Sequence, residues 1–227
     1  MQQLEALKGS YQQLFQGATF EAKCNTYWYE AAAAVVGESM AEQVVEFMKF
    51  SIGSDFYGDN KVEGSFCCNF IGIDRITFDG NKISGTLNGK EIFSHTYEYI
   101  GEYYIGEEIG REGFGGHTFQ SLDGNEDEFK YFLLLPDTMA TTYHIEFRYG
   151  SNLADLQKFG EGQYANWLAA GISVEAMNEE NSDDIGKNDY TLRQVIGLFC
   201  VENLSQMLSD ETETQRAELV GTWDADE

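Results

Sequence analysis

The segment Thr141-Thr-Tyr-His-Ile-Glu-Phe-Arg-Tyr149 carries ionisable side chains at strand spacing. Alternation sets Tyr143, Ile145, Phe147 and Tyr149 on one face and Thr142, His144, Glu146 and Arg148 on the other. His144 and Glu146 then stand roughly 6.6 Å apart along a strand that rises about 3.3 Å per residue. An imidazole nitrogen and a carboxylate oxygen both suit Zn²⁺. Two ligands do not make a site, and a polar face with Glu146 paired to Arg148 is the plainer reading of the same residues. The chain has 3 histidines, so His95, in Ser94-His95-Thr96-Tyr97, and His117, after Gly115-Gly116, are the other imidazoles.

Other chemistry is thinner. The 4 cysteines, Cys24, Cys67, Cys68 and Cys200, form no CxxC pair. Cys67 and Cys68 are adjacent in a strand-like run, where they point to opposite faces and do not pair. Buried free thiols in a reducing compartment are the expectation. Gly113-Phe-Gly-Gly116 is too short for a nucleotide loop and lacks the Lys-Ser/Thr continuation. No Gly-x-Ser-x-Gly elbow is present, and no nucleophile–base constellation supports an enzyme.

The charge narrows the partners. In 227 residues, 39 Asp and Glu face 14 Lys and Arg, a net charge of −25. Like charge opposes binding to nucleic acid and to anionic membrane surfaces, and favours cations or basic partners. No stretch reaches the roughly 18–20 apolar residues of a membrane span. The N-terminus lacks a basic region followed by an apolar core, so the chain as it stands reads as cytoplasmic; an exported protein with its leader removed is the alternative. With 42% hydrophobic residues there is ample material for a core.

Residues 3–16 read as a short helix, with Leu4, Leu7, Tyr11 and Leu14 at helical spacing. Ala31–Ala34 and the segment Ser39 to Phe50 continue the helical character. There Ser39 and Glu42 match a capping box, and Met40, Val44, Phe47 and Met48 form an apolar stripe expected in the core. The first 52 residues are thus expected to be a helical lead-in. From about residue 61 the period changes to two, and Asp79-Gly80 and Asn88-Gly89 predict type I′ hairpins. Strand-like runs cover Phe70 to Phe78, Lys82 to Leu87, Glu91 to Ile105, Gly116–Ser121, Phe129–Leu135 and Thr141–Tyr149. Short strands with tight turns predict an antiparallel meander, as sandwich or barrel. After Gly150 helical spacing returns through Leu153, Leu156, Phe159, Tyr164, Trp167 and Leu168, and Tyr190 to Leu208 reads as an amphipathic helix. One domain over residues 1–209 and an acidic tail over 210–227 are expected.

Residues 129–173 are similar to the end of the ZinT/YodA family of zinc-binding, lipocalin-like domains. Phe129-Lys130-Tyr131 matches the start of that family's strand ending in Ser-Asp-His, and Asp137 matches its Asp. His144 falls on the first His of the family's His-x-His strand, Gly150 on the glycine that closes it, and Asn166-Trp167 on its Asn-Trp element. Lys8-Gly9-Ser10-Tyr11 and Tyr97-Glu98-Tyr99 with Gly101 resemble its opening and its central strand. The resemblance extends over about residues 3–175. It implies a mainly β, antiparallel lipocalin-like (calycin) barrel with flanking helices. It also implies a non-enzymatic divalent-metal (zinc) binding protein for capture or transfer. The family's three histidine positions read Thr138, His144 and Glu146 here, which implies a weakened Zn²⁺ site. His144 would anchor it and Glu146 would be second, with His117, His95 or Asp137 completing it. The alternative is a metal-free lipocalin-like module that binds a small molecule or a protein partner.

Overall fold

A computed structural model describes residues 2–14, 22, 24–52, 67–105, 114–135, 144–158, 164, 167–174, 196–197, 200 and 204. Eight strands form a closed antiparallel barrel in chain order: β1 (Gly9–Gln13), β2 (Arg75–Asp79), β3 (Lys82–Leu87), β4 (Lys90–Ile105), β5 (Phe114–Ser121), β6 (Tyr131–Leu134), β7 (His144–Gly150) and β8 (Ala169–Ser173). β8 pairs back onto β1, with Gln12 opposite Ile172, so the sheet has no free edge. Among the described residues the helices α1 (Gln2–Ala6), α2 (Cys24–Val36), α3 (Glu38–Ile52) and the single turn α4 (Leu153–Leu156) accompany it. No helix among the described residues is long and apolar enough to cross a membrane.

The hairpins follow their turn residues. Asn88 and Gly89 both take positive φ, 52° and 77°, between the paired residues Leu87 and Lys90, which is the type I′ turn the sequence predicts. At the preceding turn Asp79 pairs with Lys82, so the loop is Gly80-Asn81 with positive φ at Gly80 alone. That is the II′ pattern, and the expected I′ turn is corrected accordingly.

The period-2 alternation then sorts side chains between two cores. Ile145, Phe147 and Tyr149 of β7 join Phe132 and Leu134 of β6, Phe93 and Tyr97 of β4 and Ile76 of β2 in one buried cluster inside the barrel. Aromatic rings fill it: Phe93 stacks on Phe129 at 3.9 Å between centroids, and Tyr149 meets Trp167 edge-on at 4.9 Å. Their polar tips are satisfied, as Tyr149 Oη donates to Ile71 O and Trp167 Nε1 to Asn69 O, each at 2.7 Å. The second core lies outside the barrel wall. There Ala170 and Ile172 of β8 meet Trp28, Ala31 and Ala32 of α2, Ala41 and Met48 of α3, and Cys68, Cys200 and Leu204.

Several expected elements differ. The helix over 3–16 ends at Ala6, and β1 follows. Gly9, at φ 135°, takes a conformation no helix offers, and Tyr11 and Leu14 fall into opposite cores. The helical lead-in therefore already contains one barrel strand. Gly37 ends α2 at φ 82°, its N–H donating to Ala33 O at 2.9 Å, and α3 starts at the next residue. Ser39 thus sits inside the first turn of α3 instead of capping it. Of the α3 stripe, Met48 is buried, whereas Met40 and Phe47 are 47% and 44% exposed. The run from Phe70 forms a strand only from Arg75. Trp167 and Leu168, read as helical, lead into β8, and a parallel bridge joins Cys67 to Trp167. The 210–227 tail and most of the 190–208 helix lie outside the described residues. Ile196, Cys200 and Leu204, spaced by four, are helical and buried.

Candidate metal centre

Register places the candidate ligands on the barrel wall. His144 pairs with Ile172 and Glu146 with Ala170, and both partners belong to the outer core. Phe147 pairs with Ala169, an inner-core residue, so β7 shows inner and outer faces in strict alternation. His144 and Glu146 therefore occupy the outer-face register, and Glu146 is half-buried there.

The other histidines are elsewhere. His117 has the parity of the buried Phe119 and pairs with the inner-core Leu134, so it stands on the inner face. A bulge between Tyr99 and Gly101 brings Glu102 opposite it, and Glu102 Oε1 lies 3.9 Å from its Nδ1. His95, between the inner-core residues Phe93 and Tyr97, is also on the inner face. Its Nδ1 is 3.1 Å from Asp123 Oδ2 and its Nε2 3.9 Å from Asp127 Oδ2. Seven residues of β4 separate His95 from Glu102, roughly 23 Å at about 3.3 Å per residue. The wall of the barrel thus divides His95 and His117 from the outer face of β7, and β4 divides them from each other. The register thus sets His95 and His117 on the inner face and His144 and Glu146 on the outer one. Asp137 lies outside the described residues.

Arg148, the third polar residue of the outer face, turns away from the ligand positions. It is 1% exposed, and its Nε donates to Trp167 O at 2.7 Å while Nη1 donates to Leu156 O at 2.9 Å and Lys158 O at 2.8 Å. Burial lowers its pKa to about 10, which leaves it charged at neutral pH.

The two adjacent cysteines bracket the start of β8. Leu168 N–H donates to Cys67 O at 3.0 Å and Ala170 N–H to Cys68 O at 3.1 Å. Cys67 packs inside the barrel and Cys68 in the outer core, so they point to opposite faces as alternation requires; both are buried and neither is in a disulfide. Burial pushes the Cys68 thiol well above its ordinary pKa, and the Glu146 carboxylate pushes in the same direction, followed by Cys67. Cys68 was invisible to spacing arguments. It lies 78 positions before Glu146 in the chain, and its backbone stands beside Ala170, the cross-strand partner of Glu146.

Among the described residues no group of three or more His, Cys, Asp or Glu side chains is arranged to hold a metal ion.

No protein-family profile and no curated protein matches the chain. Among solved structures, it is similar to the Zn(II)-bound ZinT-like domain of Streptococcus pneumoniae AdcA, with a TM-score of 0.53 and 14% identity over 85% of this chain and 88% of that one. It is also similar to Zn(II)-bound AdcA from Streptococcus pneumoniae, with a TM-score of 0.50 and 12% identity over 87% of this chain. That match takes in 35% of the AdcA chain, so this chain spans about a third of it. The fold of this chain is the closed antiparallel barrel of ZinT-like domains.

Proposed function

We propose that this barrel is a non-enzymatic binder of a divalent metal ion, zinc by preference, for capture or transfer. The ion is held on the outer face of β7 by His144 and Glu146, and Asp137 is a further carboxylate available to it. The observation that carries the reading is the outer-face position of Glu146, two residues from His144, in a fold whose solved counterparts are Zn(II)-bound. The binding of Arg148 to three carbonyls supports it, because those contacts draw a guanidinium that would oppose a cation toward the chain beyond β7. Replacing an imidazole by a carboxylate weakens affinity for a borderline-soft ion, so the site is weaker than a three-histidine one.

Zinc titration followed by thermal unfolding tests this. Excess zinc raises the melting temperature of the wild-type chain, because a ligand that binds only the folded state stabilises it. His144→Ala abolishes that shift. An equal shift in both proteins sinks the assignment.

A second reading rests on α3. Met40 and Phe47, exposed at 47% and 44%, give that helix an apolar strip suited to a protein partner, with no metal involved. A chain that takes up no zinc, yet elutes as a complex through a surface lost in Met40→Glu and Phe47→Glu, would support it.

A further inference from the structure

α3 turns one side to the outer core and a second apolar line to solvent. Ala41 and Met48 are buried in that core with Trp28, Ala31 and Ala32 of α2, and Val44 and Val45 pack against it, so the inward side of the helix is filled. Met40 and Phe47 point away from it and are 47% and 44% exposed. They are seven residues apart, so two helical turns set them on one line about 10.5 Å long. Gln43, also exposed, stands between them at i+3 from Met40 and i−4 from Phe47. The border of this line carries one sign of charge. Glu38, Glu42 and Glu46 recur at every fourth residue and are all exposed. Glu46 neighbours Gln43 at i+3, so the acidic row runs beside the apolar line. Like charges at i and i+4 oppose a helix, and an opposite charge from outside relieves them. The helix's own lysine does not, because Lys49 Nζ donates to Asn25 Oδ1 of α2.

We infer that this face of α3 docks a basic amphipathic helix of a partner protein, with the apolar side of that helix along Met40, Gln43 and Phe47 and its lysines or arginines against Glu42 and Glu46. This partner chemistry rests on the docking reading of α3 given above, and it is independent of metal binding. A helix fits because the apolar line is straight and narrow, the shape that ridge-into-groove packing of two helices covers. Charge selects the sign of the partner. The chain carries −25, so an acidic protein, a second copy of this chain or an anionic membrane surface meets repulsion, whereas a basic helix is steered inward. The carboxylates at the rim then govern the encounter and its salt dependence, and the two apolar side chains govern how long the complex lasts.

A fluorescein-labelled synthetic helix tests this, about 18 residues or five turns long, with leucines along one side and lysines along the other. Titrated with the full chain and read by anisotropy, it binds at one copy per chain, and rising salt weakens the complex. Met40→Glu and Phe47→Glu each weaken binding by about tenfold or more. Glu42→Lys combined with Glu46→Lys weakens it as well and flattens the salt dependence, without touching the apolar residues. Glu91→Lys combined with Glu98→Lys makes the same change in net charge on the barrel wall and keeps the affinity. An equal loss in that control, or equal binding of a scrambled peptide with no apolar side, shows a response to net charge alone and overturns the inference. A peptide with glutamine in place of lysine that binds as tightly, and is lost in Phe47→Glu, overturns the basic character of the partner and leaves α3 a docking face. Self-association of the chain that Phe47→Glu abolishes makes a second copy the occupant and overturns the inference too. Binding indifferent to both Met40→Glu and Phe47→Glu overturns it together with the docking reading of α3.

Discussion

Arg148 is among the largest fully buried side chains of the protein, and it carries a charge. Its three acceptors explain how. Leu156 and Lys158 lie at the end of α4, where helical carbonyls have no partner within the helix, and Trp167 O precedes β8. The guanidinium thus ties β7 to the turn after it and to the strand beside it, and a planar fork does this better than an ammonium. Arg148→Leu leaves those carbonyls buried and unpaired, and is expected to cost about 3 kcal/mol, between the loss of several charge-assisted hydrogen bonds and the breaking of a buried ionic contact. Arg148→Lys recovers only part of it. Urea unfolding of the three proteins measures the order, and equal midpoints would show that Arg148 is no latch.

At the scale of elements, β8 decides both the closure of the barrel and the face on which the candidate ligands of β7 stand, yet it was the strand least legible in the sequence. Ala169-Ala-Gly-Ile-Ser173 has low strand propensity, and four of its five residues are buried, so it shows no polar–apolar alternation. Gly171 is there for a steric reason. A Cβ at that position would lie 2.9 Å from Phe70 Cζ and 3.2 Å from Ile145 Cγ1, with Gln12 O at 3.4 Å. Gly171→Ala is therefore expected to lose about 1–3 kcal/mol by overpacking, read as a lower urea midpoint. A neutral result would mean that Phe70 moves aside freely. The strands β3, β4, β5 and β7 were readable because hairpin residues and one-sided burial mark them, whereas β1 was taken for helix because Leu4, Leu7, Tyr11 and Leu14 are all buried, at a spacing that also suits a helix. The site was half legible. Strand parity puts His144 with Glu146, but no local pattern tells which side of a barrel wall His95, His117 or Cys68 occupies. That depends on the bulge at Tyr99/Gly101 and on a parallel bridge between residues 100 positions apart.

Across the whole molecule, the net charge of −25 suggests a protein governed by its carboxylates, but the groups that burial perturbs most are thiols and phenols. Burial raises Cys200 from 9.0 to about 12, and raises Cys68, Tyr97 and Tyr11 as well. Each is an acid held neutral by folding. The unfolded chain ionises first, so the folded state binds more protons above the unfolded pKa, and stability falls as pH rises through that window. Between pH 8 and pH 10 the thiols act ahead of the tyrosines, and Cys200 costs about 1.4 kcal/mol over that span, with Cys68 acting in the same direction. Arg148 has the opposite sign, since its lowered pKa adds stability with rising pH, but only above about 10. The protein is therefore expected to lose stability between pH 8 and pH 10, about 1.4 kcal/mol of it from Cys200. Cys200→Ala should lose that much less, a difference measurable from urea midpoints at the two pH values. General repulsion among the carboxylates also grows slightly over this range. It is nearly the same in both proteins, which differ by one neutral buried group, so the difference between them isolates the thiol. An identical pH response would mean that Cys200 ionises as readily in the folded chain as in the unfolded one, and that the outer core is wetter than its packing implies.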